Sequence, residues 1–244
     1  MARYKSFVQG WRGRIGLITP APGNSAEYEF NHYLPEGVAV LTTRIPLFDI
    51  SYEGIKTMTG YVDAAAKMLA ESSLVDIILF SCTAGSFLEK GDYDIQLVKH
   101  IEEITNLPAT TTSTCILEAM EAYGAKKIHI VTPYSAEINE RERVFFESRG
   151  KTVLSVTGAL LTDSRDVPKV PAGDMYRYTL EADTDEADLI LVSCTGLHVL
   201  EIIEALEKDL KKPVISSNQC TIWGTLNKLG IHDEIKGLGS LFNL

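Results

Sequence analysis

Two cysteines, Cys82 and Cys194, stand in the same short context, Ser-Cys-Thr, and each directly follows an apolar run, Asp76–Ser81 and Asp188–Ser193. A cysteine just past a buried strand and just before a helical segment meets unpaired backbone N–H groups and the positive end of a helix dipole. Such a setting draws a thiol pKa down from about 8.5 toward neutrality, and the same N–H groups can hold a carboxylate. Two thiols so placed on facing elements could address opposite sides of one small acid. One would act as nucleophile or base while the other delivers or takes a proton. A lone cysteine after a strand is ordinarily a small core residue. It is the recurrence of the whole context that argues for chemistry.

The recurrence reaches well beyond the thiols. RIGLITP (14–20) matches KIHIVTP (127–133), VDIILFSCTAG (75–85) matches ADLILVSCTGL (187–197), and LPATTTSTC (107–115) loosely matches KPVISSNQC (212–220). The offsets are 133 − 20 = 113, 194 − 82 = 112 and 220 − 115 = 105, so the chain reads as two equivalent halves. Short Val- and Ile-rich runs predict strands at 15–19, 38–43, 75–81 and 109–112, with counterparts at 128–132, 152–156, 188–193 and 214–217. Helical periodicity covers 54–72, 94–105, 137–148, 175–183 and 199–210. Alternation of this kind implies an α/β fold of two half-domains, each a four-stranded parallel sheet flanked by helices. Residues 1–115 plus 221–244 are expected to form the first half-domain and 116–220 the second. Ligands of open parallel sheets bind beyond the carboxyl ends of the strands, which puts the active site in the cleft between the halves.

Neutral hydrogen-bond donors crowd the same strand ends. Thr83, Ala84, Thr195 and Gly196 flank the thiols, Ser113 and Thr114 end the fourth strand, and Asn24 and Tyr134 lie in the loops after the first and fifth strands. These eight are the expected substrate-binding residues. Ser217 and Asn218 are the second-half equivalents of Ser113 and Thr114, and His198 lies close enough to Cys194 to tune it. No Lys or Arg falls in these loops, so hydrogen bonds rather than ion pairs would hold a carboxylate. Cys115 and Cys220 follow polar turn residues and read as packing residues.

The bulk properties exclude several classes. A net charge of −10 over 244 residues disfavours binding to a phosphate backbone, so no nucleic-acid partner is expected. No apolar run is long enough to span a membrane, and MARYKSFVQGWRGR lacks the apolar core of a secretory leader, which points to the cytoplasm. The four cysteines form no CxxC pair, so no metal is expected. Motifs for nucleotide, serine-hydrolase and zinc-peptidase chemistry are absent from the sequence. The partner expected is a small-molecule carboxylate, and a homodimer is compatible with such a fold.

FSCTAGS, VSCTGL, LPATTTST, TPYSAEINER and SCTGLHVLEIIEALEKDLKKPVISSN together resemble the aspartate/glutamate racemase superfamily. Within it they are most similar to the branch of maleate cis-trans isomerases and arylmalonate decarboxylases. The resemblance implies flavodoxin-like half-domains and catalysis without a cofactor. It also implies that Cys82 attacks the double bond to give a succinyl-type adduct, that Cys194 is the acid/base partner, and that Asn24 and Tyr134 bind carboxylate. The decarboxylases of this branch carry glycine where this sequence has Cys82, and a Thr-Ser pair where it has Thr83-Ala84, so the pattern leans to isomerisation. After the sixth strand, where the isomerases use an asparagine, the sequence offers Asp166, an acid that would repel a dicarboxylate. The leading expectation is a maleate cis-trans isomerase-like enzyme. An amino-acid or hydantoin-type racemase, an arylmalonate-type decarboxylase and a non-catalytic small-acid binding module are the alternatives.

Overall fold

The computed structural model describes residues 9–89 and 91–244. The leader reading of the first residues therefore falls largely outside the described chain. Eight strands form two sheets. The first holds β1 (Gly13–Pro20), β2 (Val38–Ile45), β3 (Ile77–Phe80) and β4 (Ala109–Thr111) in the order β2-β1-β3-β4. The second holds β5 (Lys127–Thr132), β6 (Thr152–Gly158), β7 (Leu189–Val192) and β8 (Val214–Ser216) in the order β6-β5-β7-β8. All the pairings are parallel, and the registers repeat: Ile18 pairs with Phe80, and Val131 with Val192. Every residue of β3 and of β7 is buried, as central strands covered on both faces must be.

Each expected strand is present, with its ends shifted by no more than two residues. The helices are more numerous than their periodicity suggested. They are α1 (Ser25–Tyr33), α2 (Tyr52–Thr59), α3 (Val62–Ser72), α4 (Thr83–Ser86), α5 (Tyr93–Thr105), α6 (Thr112–Ala122), α7 (Ala136–Ser148), α8 (Ala172–Ala182), α9 (Leu200–Leu210) and α10 (Ser217–Lys228). The single helix expected over 54–72 is two, α2 and α3. The Gly60 amide is shared among the carbonyls of Lys56, Thr57 and Met58, which tightens and ends α2. Gly60, preceded by Thr57 and Thr59, offers little helical propensity to carry the turn onward.

Helices α6 and α10 touch along a small-residue seam. A Cβ on Gly224 would lie 2.7 Å from the sulfur of Cys115. Cys115 and Cys220 are wholly buried, so both are packing residues. Ile222, Leu226, Ile231 and Leu238 join Ile15, Leu17, Ile77 and Leu79 in one apolar cluster, which lays the end of the chain on the first sheet. A larger cluster runs from Ile18 and Phe80 through to Ile130 and Val192, so the two sheets share a continuous interior. Among the described residues no helix is long and apolar enough to cross a membrane.

Candidate active site

The chain leaves β3 at Ser81 and turns into α4, placing Cys82 at the helix N-cap, where its sulfur accepts the Gly85 N–H at 3.3 Å. The equivalent exit from β7 does not form a helix at once. Cys194 takes φ +140°, a region that costs a side-chain-bearing residue of order 1–3 kcal/mol. That twist lets the Gly196 N–H reach back to the sulfur at 3.3 Å, where the Tyr134 hydroxyl also donates, while the Leu197 N–H donates to the Cys194 carbonyl at 3.3 Å. Strain is sustained there by neighbours on every side. The Cys194 N–H donates to Ser217 Oγ at 2.9 Å, Ser25 Oγ donates to the Gly196 carbonyl at 2.8 Å, and Thr195 Oγ1 donates to the Ser81 carbonyl at 3.3 Å. The last two bonds run between the halves and tie the two strand ends together.

Cys82 and Cys194 line one cavity of about 500 Å³, counted with its open mouth. Tyr134, Ala84, Thr195 and Gly196 line it with them. Four other expected residues do not. Asn24 is an exposed N-cap residue of α1, and Pro22 and Gly23 take its place at the wall. Thr83 is buried behind the thiol and donates to Ser217 Oγ at 2.9 Å. Ser113 is turned to Ser86, 2.6 Å away, and Thr114 to Thr111 at 2.8 Å. Asp166 is outside the cavity and pairs with Lys169 at 2.8 Å, so it puts no charge against a bound acid. His198 sits 3.4 Å from a carboxylate oxygen of Glu29 rather than beside Cys194.

The remaining wall comes from residues no motif marked. Leu47 and Ile50 follow β2, Val167 and Pro168 follow β6, and Ile55 lies on α2. The two loops are strapped across the mouth by the Asp49–Asp163 bridge and by the Ile50 N–H on the Thr162 carbonyl at 2.9 Å. Ser164 spends its hydroxyl on the carbonyls of Leu47 and Phe48, leaving an apolar face toward the cavity.

Burial decides the proton affinities. It pushes Cys82 up to about 12 against the pull of the Gly85 N–H, and Cys194 to about 11 against the pull of the Tyr134 hydroxyl and the Gly196 N–H. The expected fall toward neutrality does not occur, because α4 is one turn long and desolvation outweighs it. Tyr134 is likewise raised well above its ordinary value by burial. Glu142 lies behind Cys194, receives the Ser193 hydroxyl, and is raised by burial to about 8. The better-donated sulfur is Cys194, so it is the one that carries negative charge more readily. Thiol and thiolate on two sides of one ligand make a proton-transfer or addition–elimination site.

A family model described as arylmalonate decarboxylase matches residues 15–242. The arylmalonate decarboxylase of Bordetella bronchiseptica is 27% identical over 94% of this chain and 96% of its own length. The maleate isomerase of Nocardia farcinica is 21% identical over 93% of this chain and 94% of its own. Among solved structures, a maleate isomerase of Pseudomonas putida with maleate shares the fold at TM-score 0.90 and 22% identity, over 94% of this chain and 97% of that one. A doubly substituted arylmalonate decarboxylase, glycine to cysteine and cysteine to serine, matches at TM-score 0.88 and 25% identity over 95% and 99%.

Proposed function

This chain belongs to the arylmalonate decarboxylase family, and from that premise we propose that it is a cofactor-independent two-cysteine isomerase of a small carboxylate, most like maleate cis-trans isomerase. The observation that carries the reading is that Cys82 and Cys194, from equivalent strand ends, line the same cavity. Cys194, the more readily ionised thiol, takes the proton of Cys82 as Cys82 adds to one carbon of the double bond, and Cys194 then passes that proton to the neighbouring carbon. The resulting single bond rotates. Cys194 takes a proton back, the carbon–sulfur bond breaks, and the trans acid leaves. A cysteine-to-serine variant of the Nocardia farcinica maleate cis-trans isomerase holds a covalently bound succinylcysteine, which supports such an adduct here. The amides around each sulfur and the Tyr134 hydroxyl would steady the charge as it passes between the thiols. Ala84, Thr195 and Gly196 complete the proposed binding set. A cytoplasmic homodimer is part of the same proposal.

A second reading is favoured by the wall of Leu47, Ile50, Ile55, Val167 and Pro168. That face suits an apolar substituent better than a second carboxylate. On it, Cys194 removes the proton next to a single carboxylate and Cys82 returns one to the opposite face, which is racemisation. Incubation with maleate and with chiral α-substituted acids in deuterated water separates the two. Fumarate from maleate is the expected result. Deuterium washed into an α-position with loss of optical activity would establish racemisation instead. Carbon dioxide from an aryl malonate, or no turnover of any acid, would sink both.

A further inference from the structure

Glu29 on α1 is wholly buried, and each hydrogen bond given to it among the described residues is one that it accepts. Its Oε1 accepts the N–H of Val199 at 3.1 Å and of Leu200 at 3.2 Å, the first amides of α9, with His198 Nδ1 at 3.4 Å. Its Oε2 accepts Asn218 Nδ2 at 2.6 Å. The same Asn218 amide donates to the carbonyl of Thr195 at 3.1 Å, one residue past Cys194. A carboxylate of the first half thus grips both ends of the segment 195–200 of the second.

The duplication supplies an internal comparison. Glu142 on α7 stands at the equivalent position, 142 − 29 = 113, the offset of the Thr-Pro pairs. Glu142 is as buried, but it binds Ser193 beside Cys194, and its second oxygen has no partner among the described residues. Ser81, the counterpart of Ser193, has no partner for its hydroxyl among them either. One fold position thus does two different things in the two halves. Only Glu29 holds a thiol-bearing loop from the opposite half, and that loop is the one with the strained φ of +140°.

We propose that Glu29 is the positioning residue of Cys194: it fixes the 195–200 segment so that the Gly196 amide stays aimed at the sulfur and the Leu197 amide stays on the Cys194 carbonyl. The inference rests on reading Cys194 as a working thiol, but not on which acid is turned over. Both oxygens face donors, so glutamine is no substitute. Its NH₂ would oppose either the α9 amides or Asn218, and one buried donor would lose its acceptor. Release of the segment takes the Gly196 N–H off the sulfur and lowers its thiolate fraction.

Alkylation by iodoacetamide reads this without any substrate. In a Cys82→Ser background the rate at Cys194 is followed by peptide mass spectrometry, with and without Glu29→Gln. In a Cys194→Ser background the rate at Cys82 is followed in the same way. The expected result is about tenfold slower reaction at Cys194 near pH 9, the equivalent of about one pKa unit, with Cys82 unchanged within about twofold. An unchanged or faster Cys194, or equal slowing of both thiols, overturns the proposal. If Glu29→Gln does not fold, Asn218→Ser removes the bridge from Glu29 to Thr195 and must slow Cys194 alone. Loss of fold in both makes Glu29 a folding determinant and overturns the proposal as well.

Discussion

The amide of Cys194 donates to the hydroxyl of Ser217 at 2.9 Å, and the same hydroxyl accepts Thr83 Oγ1 at 2.9 Å. Ser217 is the first residue of α10, Thr83 is the neighbour of Cys82, and all of these residues are buried. One oxygen atom therefore joins the backbones that carry the two thiols. Replacing it leaves two buried donors unpaired, at about 1–3 kcal/mol each before relaxation. Ser217→Ala is expected to lower the thermal midpoint and to reduce turnover per folded molecule, while Ser217→Thr, which keeps the acceptor, preserves most of both. Melting curves and active-site titration of the two variants check this.

The sulfurs themselves make the sharpest prediction. Cys82→Ser and Cys194→Ser should each cost about 10²–10⁴-fold in kcat, the range of a removed acid, base or nucleophile. Neither should disturb the fold, because serine is close in volume and both sites open onto the cavity. Full turnover by either variant with its natural substrate would end the two-thiol mechanism.

Much of this arrangement can be read from the sequence, for identifiable reasons. Strands buried on both faces need unbroken apolar runs, so β3 and β7 are plain in the chain, and the residue after each run is fixed at a strand mouth. The duplication then makes Cys82 and Cys194 equivalent without any structure. Tyr134 follows from the same loop-counting. Asn24 does not, because the two prolines in the first loop turn Pro22 and Gly23 to the cavity and leave Asn24 outside. The wall of Leu47, Ile50, Val167 and Pro168 lies in two loops with no periodicity, brought together only by the bridge between Asp49 and Asp163. Proton affinities are the least legible property. A helix start after a thiol is visible in the sequence, but the burial that overrides its effect is a property of both halves together.

Acidity follows from that burial. Cys194 is held up at about 11 and Cys82 at about 12, so both are thiols at neutral pH. The reactive thiolate then grows about tenfold per pH unit below those values, and kcat/KM should climb with pH across about 7–9. Tyr134→Phe removes a donor to Cys194 and should lower kcat/KM at every pH in that window without altering the slope. A rate that is flat across the window would show that substrate, rather than solvent, sets the proton inventory.

Stability should move the opposite way. Burial raises Glu142 from 4.5 to about 8 and Glu29 from 4.5 to about 7. Each folded carboxyl holds its proton more tightly than the unfolded one, so its contribution is complete below about pH 4.5 and is lost as pH rises through the folded value. The thermal midpoint is expected to decline from about pH 5 to 8, by the equivalent of a few kcal/mol, since a pKa difference of one between folded and unfolded chain is worth about 1.4 kcal/mol. Above about pH 7 the decline belongs mainly to Glu142, and Glu142→Gln should remove most of it there. Scanning calorimetry across that range for both proteins decides the point.

The apolar wall discriminates between substrates. Leu47 is only partly buried, so truncating it costs little stability, yet it borders the cavity beside Ile50 and Val167. If the ligand carries an apolar group against this face, Leu47→Ala removes contact worth roughly 1–2 kcal/mol, at about 0.8 kcal/mol per buried methylene, and KM should rise about 5–30-fold. A small diacid such as maleate makes no such contact, and its KM should stay within about twofold. Measuring both acids on both proteins therefore tests the wall independently of the thiols: a rise for the substituted acid alone assigns the face to a substituent. An equal rise for maleate would mean that Leu47 shapes the position of the carboxylates.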